Sequence, residues 1–105
     1  MKLGIIYVGF NNFKYAKESI LPWIALRYMY PDVFYISAVS VPFSEYKNED
    51  IKYDQTSTFL KLLESAGFID LCFDEPKYIK ENEARNLGLF DLLKRGVDYI
   101  MLVVS

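Results

Sequence analysis

The last quarter of the chain, residues 82–105, reads NEARNLGLFDLLKRGVDYIMLVVS and decides the fold. Its first part predicts a helix over Asn82–Arg95, because apolar residues recur there at steps of three and four. Gly96 is the expected stop of this helix, since glycine readily adopts the left-handed conformation that ends many helices. Tyr99–Val104 follows as YIMLVV, the most apolar run in the chain, and predicts a buried strand.

The same alternation of helix and strand extends back to the N-terminus. Apolar runs rich in β-branched and aromatic residues predict further strands, and the segments between them have helical spacing. The predicted strands are Leu3–Val8, Val33–Val41 and Phe68–Phe73, and the predicted helices are Phe13–Met29 and Thr56–Ala66, the latter capped by Gly67. Pro22 interrupts the first helix, so a kink or two short helices are expected there. Residues 42–54 are mostly polar and predict a mobile surface loop.

Strands that alternate with helices predict an α/β protein. The expected architecture is an open parallel sheet of about four strands with helices on both faces, which is Rossmann-like. The 105 residues suit a single domain, and a composition that is 52% apolar and 17% aromatic can build a core. The net charge of −2 lacks the basic footprint that binding to nucleic acid or to an anionic membrane requires.

Two residue types limit the chemistry that the chain can perform. It has no histidine, which removes the usual general base and the commonest metal ligand. Its single cysteine, Cys72, lies in an apolar run and is expected to be a small buried hydrophobe.

The apolar start MKLGIIYVGF is too short to span a membrane, and no small-residue cleavage site follows it. A cytoplasmic protein is therefore expected.

An open parallel sheet binds its ligands at the carboxyl ends of the strands. In this sequence those ends are Gly9–Asn12, Ser40–Pro42, Asp74–Glu75 and Val104–Ser105. The first and fourth matter most, because in such folds they usually lie side by side. Asn11 and Asn12 also suit a turn and a helix cap, and the two acidic residues that end the third strand suit a solvated turn better than an acid pair.

Three pieces of the chain carry a resemblance to a known family. They are the strand end IIYVGFNN at residues 5–12, the helix start ARNLG at residues 84–88, and the strand VDYIMLV at residues 97–103. With this order and spacing, the chain resembles the N-terminal half of a family 2 glycosyltransferase with the GT-A fold. The resemblance covers nearly all of the 105 residues, but only about the first half of a domain of that family.

The resemblance implies a domain, spanning residues 1–105 and cut short at its C-terminus, that binds a UDP- or GDP-linked sugar. The implied nucleotide-sugar-binding residues are Phe10 and Asn11 beside the base, Ser40 at the second strand end, Arg85 near the nucleotide or its phosphates, and Asn86 supporting the loop. In that family the fourth strand leads into an acidic motif that holds Mn²⁺ or Mg²⁺ on the diphosphate. Val104 and Ser105 stand there instead, so the metal site is expected to be incomplete and the chain to lack activity.

Other interpretations remain open. The chain could be a non-catalytic α/β interaction module that self-associates as a homo-oligomer through an exposed sheet edge. A flavodoxin-like or receiver-like domain is a third alternative, although receiver domains need clustered acidic residues where this chain has Gly9 and Asn11. Arg85 also has a plain structural alternative, as a solvated helix residue paired with Glu81 one turn earlier.

Overall fold

The computed structural model describes residues 1–10, 13–42 and 55–104. Within these ranges strands and helices alternate, in the order β1 Leu3–Phe10, α1 Phe13–Met29, β2 Phe34–Val41, α2 Thr56–Ser65, β3 Leu71–Asp74, α3 Glu81–Lys94 and β4 Tyr99–Val104. Most of the loop predicted at residues 42–54 lies outside the described residues, as do the proposed cap at Asn11 and Asn12 and the terminal Ser105.

The four strands form one sheet in the order β3-β2-β1-β4, and every neighbouring pair is parallel. In the centre of the sheet, Ile5 of β1 lies opposite Ile36 of β2 on one side and Met101 of β4 on the other. The predicted α/β fold with an open parallel sheet is therefore confirmed. The first and fourth strands are neighbours, as expected.

Helices cover both faces of the sheet. On the face covered by α1 and α2, here called the α1 face, the buried core consists of Ile5, Tyr7, Ala16, Ile20, Phe34, Ile36, Ala38, Leu60, Ile69 and Cys72. On the opposite face, the α3 face, it consists of Ile6, Val8, Phe10, Val39, Val41, Ala84, Leu92 and Val97. The alternation along β1 and β2 follows from the two-residue period of a strand. Cys72 is buried, as predicted.

Two glycines end helices as the sequence predicts. After α2, Gly67 has a φ of 83°, and the amides of Gly67 and Phe68 bond back to the carbonyls of Glu64 and Leu63. After α3, Gly96 has a φ of 75°, and the amides of Gly96 and Val97 bond back to the carbonyls of Leu93 and Leu92. This pattern is the Schellman motif, which satisfies carbonyls that the helix end would otherwise leave without partners.

A bidentate ion pair joins α1 to the turn before β3. Arg27 Nε and Nη2 donate to the carboxylate of Asp70 at 2.9 and 2.8 Å, and Nη1 donates to the carbonyl of Gly67 at 2.7 Å. This hydrogen-bonded carboxylate raises the pKa of Arg27. The Asp70 carboxylate also accepts the amide of Ile36 at 2.8 Å. The amide of Ile36 on β2 thus bonds a side chain instead of a backbone carbonyl of the neighbouring strand. Regular pairing with β2 therefore starts later, and β3 begins at Leu71 rather than at the predicted Phe68.

Two predictions about single elements were wrong. First, the prediction of two short helices is wrong, because α1 is one helix from Phe13 to Met29 with Pro22 inside it, whereas a kink at Pro22 stays a prediction. Glu18, whose carbonyl loses its partner at Pro22, is exposed, so water can bond that carbonyl. Second, β1 continues to Phe10 instead of ending at Val8, because its last two residues remain in register with β2.

The prediction that β4 is buried was also wrong. Among the described strands β4 is the outermost and pairs only with β1, and its apolar side chains are largely exposed. Tyr99 is 63% exposed, Met101 53% and Val104 42%. In the described ranges, no helix combines the length and the apolar character needed to cross a bilayer.

Candidate functional site

The carboxyl ends of β1 and β2 lie side by side and form the centre of the predicted site. Gly9 is in register with Ser40, which is in register with Asp74 of β3. The carbonyl of Ser40 accepts the amide of Glu75 at 3.0 Å, so the chain leaves β3 while still attached to β2. The structure therefore brings three of the four predicted strand ends into one continuous row.

The strand order makes this edge a switch point. β2 lies on one side of β1 and β4 on the other, so the chain reverses its direction across the sheet between β3 and β4. The connections also divide between the faces, since α1 packs on one side and α3 on the other. In open α/β sheets a crevice forms outside the carboxyl ends of the strands at such a reversal. Here it falls between Phe10 and Val104.

Phe10 lies in the core rather than in the open edge. Its side chain is only 7% exposed and belongs to the hydrophobic cluster on the α3 face. The ring of Tyr78, which precedes α3, lies 6.3 Å from the ring of Phe10 and is tilted by 40°. Tyr78 itself is 41% exposed and was not predicted as a site residue. This aromatic pair joins the end of β1 to the segment that leads into α3.

Ser40 is also buried, with an exposed fraction of 2%. Its neighbour Gly9 lies close to the start of α2, where a Cβ atom at position 9 would approach Thr56 Cγ2 to 3.2 Å. Thr56 is fully buried. The strand ends at Gly9 and Ser40 are thus packed against the first turn of α2. Asn11, the remaining residue implied beside the base, lies outside the described ranges.

Arg85 and Asn86 lie on the first turns of α3, and both are exposed. The helix packs on the sheet through Ala84 and Gly88, and Asn86 lies on the far side of the helix from them. Within the part of the chain that the structure describes, Arg85 forms no ion pair, so the alternative pairing with Glu81 is not formed. The guanidinium of Arg85 is therefore available to a ligand.

The acidic residues do not form a metal centre in the described part of the chain. Over residues 1–10, 13–42 and 55–104, no group of three acidic, cysteine or histidine side chains is placed to hold an ion. Asp74 is exposed on β3, and three strand spacings, about 14 Å, separate β3 from β4. Asp74 therefore cannot share an ion with the end of β4 at Val104. The described residues do not fit the Mn²⁺ or Mg²⁺ that the resemblance implies.

The described residues form several apolar grooves away from the carboxyl ends of the strands, none of them predicted. One, of about 340 Å³, lies on the α1 face beside β4 and is lined by Leu3, Gly4, Ile5, Trp23, Leu26, Phe34, Tyr99, Ile100 and Met101. Another, of about 430 Å³, lies on the α3 face beside β3 and is lined by Leu71, Phe73, Leu87, Phe90, Asp91 and Lys94. The signal for the first was the run YIMLVV, which is apolar at every position.

Comparison of the chain with models of protein families, with curated proteins and with solved structures gives no match in any of the three. The resemblance to family 2 glycosyltransferases therefore rests on the residues quoted above and on the order of the strands.

Proposed function

We propose that this chain is the nucleotide-sugar-binding half of a glycosyltransferase-like domain, and that the donor lies at the carboxyl edge between β1 and β4. The observation that carries the proposal is the strand order β3-β2-β1-β4, which makes that edge a switch point. Crevices of this kind bind nucleotides in open α/β sheets. β1, which ends at this edge, belongs to IIYVGFNN at residues 5–12, one of the three pieces that resemble the family.

Two sources of positive charge lie near this edge, although Asp74, Glu75, Glu81 and Glu83 bring negative charge close to it. Each of the three described helices follows a strand of the parallel sheet, so its N-terminus lies at the carboxyl edge. The partial positive charge at a helix N-terminus favours a bound anion. Arg85 adds a full positive charge on the second turn of α3, and its guanidinium can donate two parallel hydrogen bonds to a phosphate.

The proposal covers binding and not sugar transfer. Departure of a nucleoside diphosphate requires stabilisation of its developing charge, which metal-dependent enzymes obtain from a bound cation. The described residues supply no such ligand set, and the sequence contains no histidine that could act as a base. We therefore expect the chain to hold the donor without consuming it. In this role Arg85 binds the phosphates. The contact between the rings of Phe10 and Tyr78 holds the end of β1 against the segment before α3.

A calorimetric titration with UDP and GDP, with and without Mn²⁺, tests the proposal. The expected result is binding of one of the two nucleotides that is weakened about tenfold or more by Arg85→Ala, a loss of about 1.4 kcal/mol. Lys94→Ala is the matched control, because it removes one positive charge from the last turn of the same helix and should leave binding unchanged.

Two results would contradict the proposal. The first is the absence of binding of either nucleotide to the folded chain. The second is equal weakening by Arg85→Ala and Lys94→Ala, which would show an unspecific effect of net charge. Chromatography of a UDP-sugar incubated with the chain tests the binding-only role separately, since release of UDP would show turnover. A requirement for Mn²⁺ would place metal ligands outside the described residues.

A further inference from the structure

Over residues 1–10, 13–42 and 55–104, no strand pairs with the outer edge of β4. β4 pairs with β1 on one side, and no described strand lies on its other side. An edge strand presents a row of backbone amides and carbonyls that can pair with another strand. All six residues of β4 are apolar, so neither a charge nor a proline interrupts this row.

The two edges of the sheet differ in how well they resist such pairing. β3, at the opposite edge, has only four residues, ends in Asp74 and is followed closely by Pro76. Short edge strands, charges and prolines are the usual means by which proteins prevent association at a sheet edge. β4 has none of these features, which makes it the edge suited to pairing.

The exposed side chains of β4 lie on both faces of the sheet. Tyr99 and Met101 are in register with Leu3 and Ile5 and therefore point to the α1 face, where they line the groove of about 340 Å³. Leu102 and Val104 point to the α3 face, with exposed fractions of 36% and 42%. A partner strand with alternating apolar and polar residues would place apolar side chains beside those of β4 on only one of these two faces. The matching partner must be apolar at successive positions.

β4 itself is a strand of this kind. We infer that two copies of the chain associate through antiparallel pairing of their β4 strands, which joins the two sheets into one. A two-fold axis normal to the sheet keeps each face on its own side, so that Tyr99 and Met101 of one copy meet the same side chains of the other. No charged residue lies within the strand, so identical copies bring no like charges together there.

The groove beside β4 extends the contact beyond the strands. Trp23 and Leu26 of α1 form one wall of the groove, and the exposed Leu3 lies on its floor. Side chains from the second copy's β4 that reach this wall add buried apolar area to the backbone pairing. A stable interface needs about 800 Å² from each partner, which a six-residue strand reaches only with such flanking contacts.

Sedimentation of the purified chain over a range of concentrations tests this inference. The expected result is a monomer–dimer equilibrium that Met101→Lys shifts to monomer, because the lysine ammonium would be placed in an apolar contact. Phe90→Lys is the matched control, since Phe90 is 65% exposed but lies on α3 beside the other edge. This variant should dimerise as the unaltered chain does.

Hydrogen exchange of the unaltered chain provides a second measurement that does not depend on a variant's folding. The β4 amides that point away from β1 should be protected at high concentration and should exchange rapidly on dilution. A strictly monomeric chain, or a dimer that Phe90→Lys dissociates and Met101→Lys does not, would overturn the inference. So would a β4 edge whose exchange is the same at all concentrations. None of these outcomes bears on nucleotide binding by Arg85.

Discussion

Ser37 is a buried hydroxyl with no hydrogen-bond partner in the described part of the chain. It lies on β2 between Ile6 of β1 and Leu71 of β3. An unpaired hydroxyl in this position costs stability, because it has lost its bonds to water. We predict that Ser37→Ala stabilises the fold by about 1 kcal/mol, which raises Tm by about 4 °C.

Urea unfolding of the two proteins measures this difference. Ser37→Thr is the control, since it keeps the hydroxyl and adds a methyl group to a closely packed position, and it should lower the stability. A less stable Ser37→Ala variant would show that the hydroxyl has a partner after all.

Cys72 makes the stability depend on pH in the alkaline range. Burial raises the pKa of its thiol from 9.0 to about 12, and the nearby Lys61 opposes this shift only in part. Above pH 9 the unfolded thiol loses its proton while the folded one keeps it, so the unfolded state binds fewer protons. The free energy of unfolding therefore falls as pH rises from 9 to 12, by about 1.4 kcal/mol per pH unit from this group.

Urea unfolding at pH 8, 9 and 10 under reducing conditions, for the unaltered chain and for Cys72→Ala, measures this contribution. Other groups that titrate in this range are common to both proteins, so only the difference in slope belongs to Cys72. Parallel pH profiles would contradict the prediction.

For individual residues, the sequence could predict burial and exposure only where a local pattern determines their position. Arg85 was implied by the resemblance that ARNLG carries, and its side chain is exposed on the helix, but its binding to a ligand stays a prediction. Phe10 was expected beside a ligand but lies in the core, because the two-residue period of β1 places it on the same face as Ile6 and Val8. That alternation was visible in the sequence. The contact of Phe10 with Tyr78 was not, since it depends on the path of the chain before α3.

At the level of elements, the packing of α3 on the sheet shows what hydrophobic spacing misses. The sequence suggested a face through Ala84, Leu87, Phe90 and Leu93, widened by Leu89 and Leu92. At about 100° per residue, however, Leu93 lies about two and a half turns after Ala84 and so on the opposite side of the helix. The structure instead buries Ala84, Gly88 and Leu92, at steps of four, and leaves Leu93 55% exposed. Small residues allow the helix to lie close to β1, and a glycine gives no apolar signal in the sequence.

Gly88 is therefore the residue that determines how closely α3 approaches the sheet. A Cβ atom at this position would lie 2.6 Å from Cγ2 of Ile6, a branched side chain that is itself buried. The gain in helix propensity from alanine is about 1 kcal/mol, and overpacking of a core costs about 1–3 kcal/mol. We predict that Gly88→Ala destabilises the fold by about 1 kcal/mol, as measured by urea unfolding.

A double mutant separates these two effects. Ile6→Ala removes the two nearest atoms that the new methyl group would meet, Cγ2 and Cγ1, and leaves only Cβ at 3.3 Å. Gly88→Ala should therefore be close to neutral or stabilising in that background. Equal effects of Gly88→Ala in both backgrounds would show that the close approach of α3 to β1 is not the cause.

For the whole molecule, alternation of elements was enough to predict a parallel sheet with helices on both faces. The position of β4 in that sheet could not be predicted in the same way. A run such as YIMLVV is typical of a central strand, because both faces of a central strand are covered. The same run suits an edge strand whose faces and edge are covered by another chain. Sequence spacing cannot distinguish these two cases, since both require apolar residues at successive positions.

Pairing of β4 strands couples the folding of the chain to its concentration. A partner that binds only the folded state stabilises that state by mass action, so the dimer should become harder to unfold as the protein concentration rises. We predict that Tm increases by a few degrees for each tenfold rise in concentration, and that the Tm of Met101→Lys does not depend on concentration. Calorimetric scans at several concentrations test this. A constant Tm for the unaltered chain would contradict it, because the exposed residues of β4 would then be a stable feature of a monomer.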